Sequence, residues 1–185
     1  RSLIPWRHSV KLSTERLILR EFNVDDVHVM HAWQIDPRYL EHYPVDSTSL
    51  EDTRDLITRF LAWQRQLPRC RWQLAIELHG TGELIGSAGI RRASVDALTA
   101  DVGYELNPAH WGHGYATEAM RRMLGFAVDE LQLTELTARV VDTNAASLRV
   151  LQRLGFTHSL SLAPGAGRDG RIWPQRAEYR LLPDR

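Results

Sequence analysis

"NPAHWGHGYATEAMRRMLGFAVDE", residues 107–130, is the stretch from which the rest of the chain is read. Apolar residues recur at Ala116, Ala119, Met120, Met123, Leu124 and Ala127, the spacing of one buried helix face. Glu118, Arg121, Arg122 and Gly125 fall on the opposite face. The helix begins almost at Tyr115, directly after Gly112 and Gly114. Glycines there permit positive φ and remove Cβ atoms that would block approach to the backbone. The amides from Gly112 to Ala116 then stand unpaired at the positive end of a helix dipole, where a pyrophosphate binds without any charged side chain. The same glycines also suit a plain strand-to-helix turn, and neither GxGxxG nor GK[ST] is present here.

Outward from this turn the periodicities alternate. "TERLILREF" (14–22) has the alternation of a strand, and "NVDDVHVMHAWQ" (23–34) that of a helix with Asn23 as N-cap and Val27, Met30 and Trp33 inward. Ser49 caps a second helix over 49–66. Residues 71–78 and 83–92 read as a hairpin across "HGTG", and 97–106 as a third consecutive strand. After the 115–129 helix come a strand at 133–141, a short helix at 144–154, and two last strands at 156–163 and 171–182 around "PGAGRDG". That order predicts an α/β fold: a mixed, mostly antiparallel sheet of about seven strands with helices on both faces. The whole of 1–185 reads as one domain with its core at about 14–180.

Composition excludes several classes. The 23 basic residues balance 23 acidic ones, so charge predicts neither a nucleic-acid nor a membrane partner. The apolar share of 43% with 25% charged residues is that of an ordinary soluble chain. No stretch reaches the roughly 18 apolar residues of a membrane span, and "RSLIPWRHSV" lacks a signal-peptide h-region. Cys70 is the single cysteine, which fits a reducing compartment. The expectation is a soluble, cytoplasmic protein.

"ADVGYEL" followed by "WGHGYATEA" resembles motif A of the GCN5-related N-acetyltransferases, whose pattern is Q/R-x-x-G-x-G/A. Trp111 stands where Gln or Arg is usual, and Gly114 and Ala116 hold the small positions. Trp111 with "GYATEA" looks like the RimJ/RimL-like branch, which acetylates protein N-termini and small amines. "TERLILRE" is similar to that branch's opening strand, and "NAASLRVLQRLGF" to its motif B. The resemblance spans Thr14 to Tyr179.

The resemblance implies a sheet splayed between the strand ending at Leu106 and that at Leu136–Val141, with acetyl-CoA as cofactor in the gap. The backbone of Tyr104 to Leu106 would face the thioester and supply an N–H to its carbonyl oxygen. Trp111, Gly112, His113, Gly114, Tyr115, Ala116 and Thr117 would surround the pyrophosphate, and Asn144 would bond the pantetheine amide. The acceptor amine must shed a proton, since an α-amine titrates near ~7.7–8 and a lysine amine near ~10.4. Glu105 is the candidate base; the alternative is a carboxylate pointing outward or paired with an arginine. Many members place a tyrosine acid where this chain has Leu151. Ser147 is the hydroxyl that the RimJ/RimL-like branch uses near the sulfur, with helix-end bonding as its competing role.

Trp33, Trp63 and Trp72 are candidates to border an acceptor pocket together with Tyr104 and Glu105, core packing being the default. The acids between Asp25 and Asp55 would make an acidic wall that draws a cationic amine. His110 and His113 have no third ligand at metal spacing, so no metal is expected. "PGAGRDG" is either a turn or a substrate-facing flap. The strand at 171–182 is the expected sheet edge for a homodimer, monomer being the alternative. The acceptor itself stays open between a small-molecule amine and a protein N-terminus. A catalytically weak acyl-CoA-binding module and a different phosphate-cofactor enzyme are the other readings.

Overall fold

The computed structural model describes residues 9–167 and 170–183. Residues 1–8 of the stretch read for a leader segment, and Arg168 and Asp169 at the tip of the "PGAGRDG" loop, lie outside the described residues. The chain runs β1 (Lys11–Ser13), β2 (Leu17–Glu21), α1 (Asp26–Gln34), α2 (Pro37–Leu40), α3 (Leu50–Arg65), β3 (Arg71–Leu78), β4 (Leu84–Arg92) and β5 (Thr99–Leu106). A 3₁₀ turn at Pro108–His110 leads to α4 (Tyr115–Asp129), then β6 (Glu135–Val141), α5 (Ala145–Arg153), β7 (Thr157–Leu162), β8 (Gly165–Ala166), β9 (Ile172–Trp173) and β10 (Arg176–Leu181).

Eight strands form one sheet in the order β1-β2-β3-β4-β5-β6-β10-β7, antiparallel except between β5 and β6. The eighth strand beyond the expected set is β1, which pairs with β2 just ahead of the predicted first strand. β8 and β9 make a separate two-stranded hairpin. The expected dimer edge at 171–182 is corrected: β10 is bonded to β6 on one side and β7 on the other, so the sheet's edges are β1 and β7.

Two apolar layers cover the sheet. Trp72, Leu74 and Ile76 of β3 point toward α4, whose Ala119, Met120, Met123 and Phe126 are nearly fully buried. On the other face Ala75 meets α1 and α3 through Met30, Trp33, Ile57 and Phe60. This is the period-two alternation of a strand buried on both sides.

The caps follow local chemistry. Ser49 accepts from the Asp52 amide and Asp52 accepts in return from the Ser49 amide, a reciprocal capping box. The N-cap of α1 is Asp25 rather than Asn23, because Asn23 spends its side chain on the Asp25 amide one step earlier. The sequence reading passed over α2, a single turn started by Pro37 and capped by Asp36.

Candidate functional site

β5 and β6 pair only from Thr99↔Glu135 to Asp101↔Thr137. Beyond Asp101 they part, because β5 stays with β4 as far as Leu106↔Gly86 while β6 stays with β10 as far as Val141↔Arg176. The gap opens a cavity of about 410 Å³. Tyr104, Glu105 and Leu106 line one wall and Arg139, Val140 and Val141 the other.

One end of the cavity is the glycine turn. Gly112 and Gly114 both hold φ near +80° (82 and 81), and Gly114 is the N-cap of α4 without a side-chain cap. The first helical bond runs from the Glu118 amide to the Gly114 carbonyl, so the amides of Tyr115, Ala116 and Thr117 have no intrahelical acceptor. A Cβ at Gly112 would meet nothing within 4 Å, and one at Gly114 only the end of Arg16 at 3.6 Å. These glycines therefore serve backbone shape and outward access rather than internal packing. Trp111, Gly112, Gly114, Tyr115, Ala116 and Thr117 line the cavity, and the indole N–H of Trp111 ties the turn to β5 by donating to the Leu106 carbonyl at 3.0 Å. His113 is not among the lining residues; its ring stacks on Tyr115.

The turn is braced from the first hairpin. Glu118 accepts from the Thr14 hydroxyl at 2.6 Å, the Arg16 amide at 3.0 Å and the Arg16 guanidinium at 2.6–2.7 Å. Arg16 also donates to the His113 carbonyl at 3.0 Å and lies over the Tyr115 ring. Burial pushes the Glu118 carboxyl up, but the bonds from Thr14 and Arg16 outweigh it and hold it below its ordinary value. Arg16, Arg121, Arg122 and Arg153 surround an adjoining groove that shares Gly114 and Thr117 with the cavity. Glu15 and Glu118 share that groove, and with Arg149 and the Glu178-paired Arg139 on the cavity wall the arginines outnumber the carboxylates at this end.

On the far wall Asn144 caps α5, its Oδ1 accepting from the Ser147 amide at 3.0 Å. The Ser147 hydroxyl is thus left for the cavity, where the Tyr104 phenol donates to it at 3.1 Å. Leu151, where a tyrosine acid is usual, is buried in the core.

Glu105 lies at the other end and is the single carboxylate among the lining residues. The Tyr39 phenol donates to its Oε2, and the Ser87 hydroxyl donates to its Oε1 at 3.2 Å. Ser87 in turn accepts from Gln73 at 3.0 Å, and Gln73 accepts from Arg91 at 3.1 Å. This buried chain needs Gly89, since a Cβ there would fall 2.1 Å from Gln73 Oε1. Burial pushes the Glu105 carboxyl above its usual value, partly offset by hydrogen bonds from Tyr39, Ser87 and Gln34. Burial likewise raises the Tyr39, Tyr43 and Tyr104 phenols, which keeps them protonated donors.

Two expectations are corrected here. Trp33 and Trp72 are core residues, 2% and 1% exposed, because their helix and strand periods turn them inward; Trp63 packs beside Phe60. The tryptophans that do line the cavity are Trp111 and Trp173. The acidic wall is absent from the lining: Asp26 pairs with Arg20, Asp36 with Arg38 and Glu51 with Arg54, while Asp52 closes the α3 cap. Helix-start chemistry claimed these acids. Sequence reasoning missed Tyr39, Tyr43, His42, Ser87 and the arginine set. The "DPRYL" cap-and-proline signal of α2 was the available clue to the first two.

Among the described residues no group of His, Cys, Asp and Glu is placed to hold a metal ion, and no helix is long and apolar enough to cross a membrane.

The "Acetyltransferase (GNAT) domain" family matches residues 16–157. YoaA, an uncharacterized N-acetyltransferase of Bacillus subtilis (strain 168), is 32% identical over 146 residues, covering 78% of this chain and 81% of that protein. A GNAT-family acetyltransferase from Bacillus anthracis superposes with a TM-score of 0.78 at 22% identity, covering 94% of this chain and 98% of the other. Mycobacterium smegmatis RimJ, solved in complex with CoA-disulfide, superposes with a TM-score of 0.77 at 21% identity, covering 94% and 86%. A match running from Arg16 through the glycine turn to Thr157 takes in both walls of the cavity, and on it the chain belongs to the GNAT acetyltransferases.

Proposed function

We propose that the chain is an acetyl-CoA-dependent N-acetyltransferase of the RimJ/RimL-like branch, acting in the cytoplasm on a primary amine by direct attack within a ternary complex. The observation that carries this reading is the continuity of the cavity, from the unpaired amides of Tyr115–Thr117 to the buried carboxylate of Glu105. The two ends suit a phosphorylated acyl carrier and an amine respectively.

Acetyl-CoA, when bound, supplies a thioester carbonyl. The amides at the start of α4, with Arg16, Arg121, Arg122 and Arg153 beside them, would hold its phosphates. The unpaired edge of β5 beyond Asp101 offers backbone N–H groups to the pantetheine arm and to the carbonyl oxygen. Glu105, held by Tyr39 and Ser87, takes a proton from the acceptor amine. A C–N bond forms as the C–S bond breaks, and the sulfur leaves with the electron pair. Ser147, which receives the Tyr104 hydrogen bond, would return a proton to that sulfur.

A second reading, a catalytically weak acyl-CoA-binding module, draws support from Leu151 in place of the usual tyrosine acid. Titration calorimetry with acetyl-CoA, free CoA and ATP, followed by thiol release with amine acceptors, separates the two. Binding of the CoA ligands with ATP silent and thiol release supports the enzyme. Binding without turnover supports the module, and no CoA binding removes both.

A further inference from the structure

The acceptor end of the cavity is aromatic. Tyr39 and Tyr43 stack at 4.4 Å between centroids, and Tyr43 meets Trp173 of the β8–β9 hairpin at 6.1 Å. His42, next to Tyr43 in the chain, lies 5.9 Å from Trp111, which reaches this end from the glycine turn through its bond to the Leu106 carbonyl. Against this ring-lined wall Glu105 is the single lining carboxylate.

Resting on the transferase reading, we infer that the acceptor is a monoamine carried on a flat aromatic body, its nitrogen directed at Glu105 and its ring lying against Tyr43, Trp111 and Trp173. One buried carboxylate compensates one ammonium before its proton is lost. A second ammonium, as in a polyamine, would enter with no counter-charge among the lining residues, a costly burial. An aromatic guest gains offset or edge contacts with the wall rings, which an aliphatic or peptide guest cannot reproduce. The nitrogen gains the acetyl carbon and loses two protons, one to Glu105 before the attack and one through Ser147 to the departing sulfur, which leaves as the thiol.

The test uses the protein saturated with free CoA, itself first shown by calorimetry. Phenethylamine, spermidine and triglycine are then titrated into the CoA complex. Phenethylamine is expected to bind about tenfold or more tightly than either competitor. Trp173→Ala should lose about that factor and Trp173→Phe should keep most of the affinity, both with native circular dichroism. Spermidine or triglycine binding as tightly as phenethylamine, or a Trp173→Ala affinity unchanged for phenethylamine, overturns the inference while leaving the transferase reading intact. Failure of CoA to bind overturns both.

Discussion

The phenol of Tyr39, on a single-turn helix, donates to the carboxylate of Glu105 in the middle of the sheet. Tyr39 is 6% exposed and its burial keeps the phenol protonated, so it stabilises the ionised form of a group that burial otherwise disfavours. Glu105 is thereby held between two tendencies, and a carboxyl raised above its ordinary value is a better proton acceptor near neutrality than an exposed one.

Glu105→Gln should lower kcat/KM by about 10²–10⁴-fold, the usual span of a lost acid–base group. In the parent protein the acid limb of the pH–rate profile should lie above the ordinary carboxylate range, since the base must be unprotonated. The variant should lose that limb. A parent-like rate and limb would take Glu105 out of the mechanism.

The same residue predicts a stability effect of definite sign. A carboxyl whose folded pKa is raised binds its proton more readily in the native state, so folding stability falls as pH rises from the unfolded value through the folded one. Glu105→Gln should therefore melt higher than the parent above that window and match it more closely in acid. Thermal melts across pH check this.

Gly114→Val should cost about 1–2 kcal/mol of stability, because a β-branched residue is forced to a φ of +81°. The space itself is open, with only the Arg16 terminus at 3.6 Å. Urea unfolding should show a folded protein while calorimetry shows lost CoA affinity. Unchanged CoA affinity would show that the turn does not contact the phosphates.

Ser147 and Asn144 separate catalysis from capping. Asn144→Ala should destabilise by about 0.5–2 kcal/mol through loss of the α5 cap. Ser147→Ala leaves that cap bond in place, since the donor is the Ser147 amide. It should lower kcat with little change in melting temperature. Combined with Tyr104→Phe, the loss should fall short of the sum of the single effects, as expected of hydroxyls in direct contact.

Glu118→Gln should weaken the brace between the first hairpin and the glycine turn. The Glu118 carboxyl sits below its ordinary value, so its contribution is present above the unfolded pKa and is lost as pH falls through the folded one. The variant should be on the order of 1–3 kcal/mol less stable at neutral pH, with the gap closing in acid.

The amphipathic period of α4, the glycines at its head and the strand alternations around it were legible because each is a property of neighbouring residues. So was the order of elements, and with it the mixed sheet. The acids between Asp25 and Asp55 misled for the same reason: their spacing says that helices start there, and helix starts are where they are used.

Sequence by itself determined the longer helices and strands, though neither β1 nor α2, the splayed sheet through family resemblance, and Glu105 and Ser147 as the residues to examine. Tertiary structure alone decided which groups surround them. Tyr39 reaches Glu105, Tyr104 reaches Ser147, Arg16 braces the turn from far along the chain, and β10 enters the sheet's interior instead of its edge. Those pairings join residues far apart in the chain, and periodicity records only which face a side chain takes, never what waits on the other side.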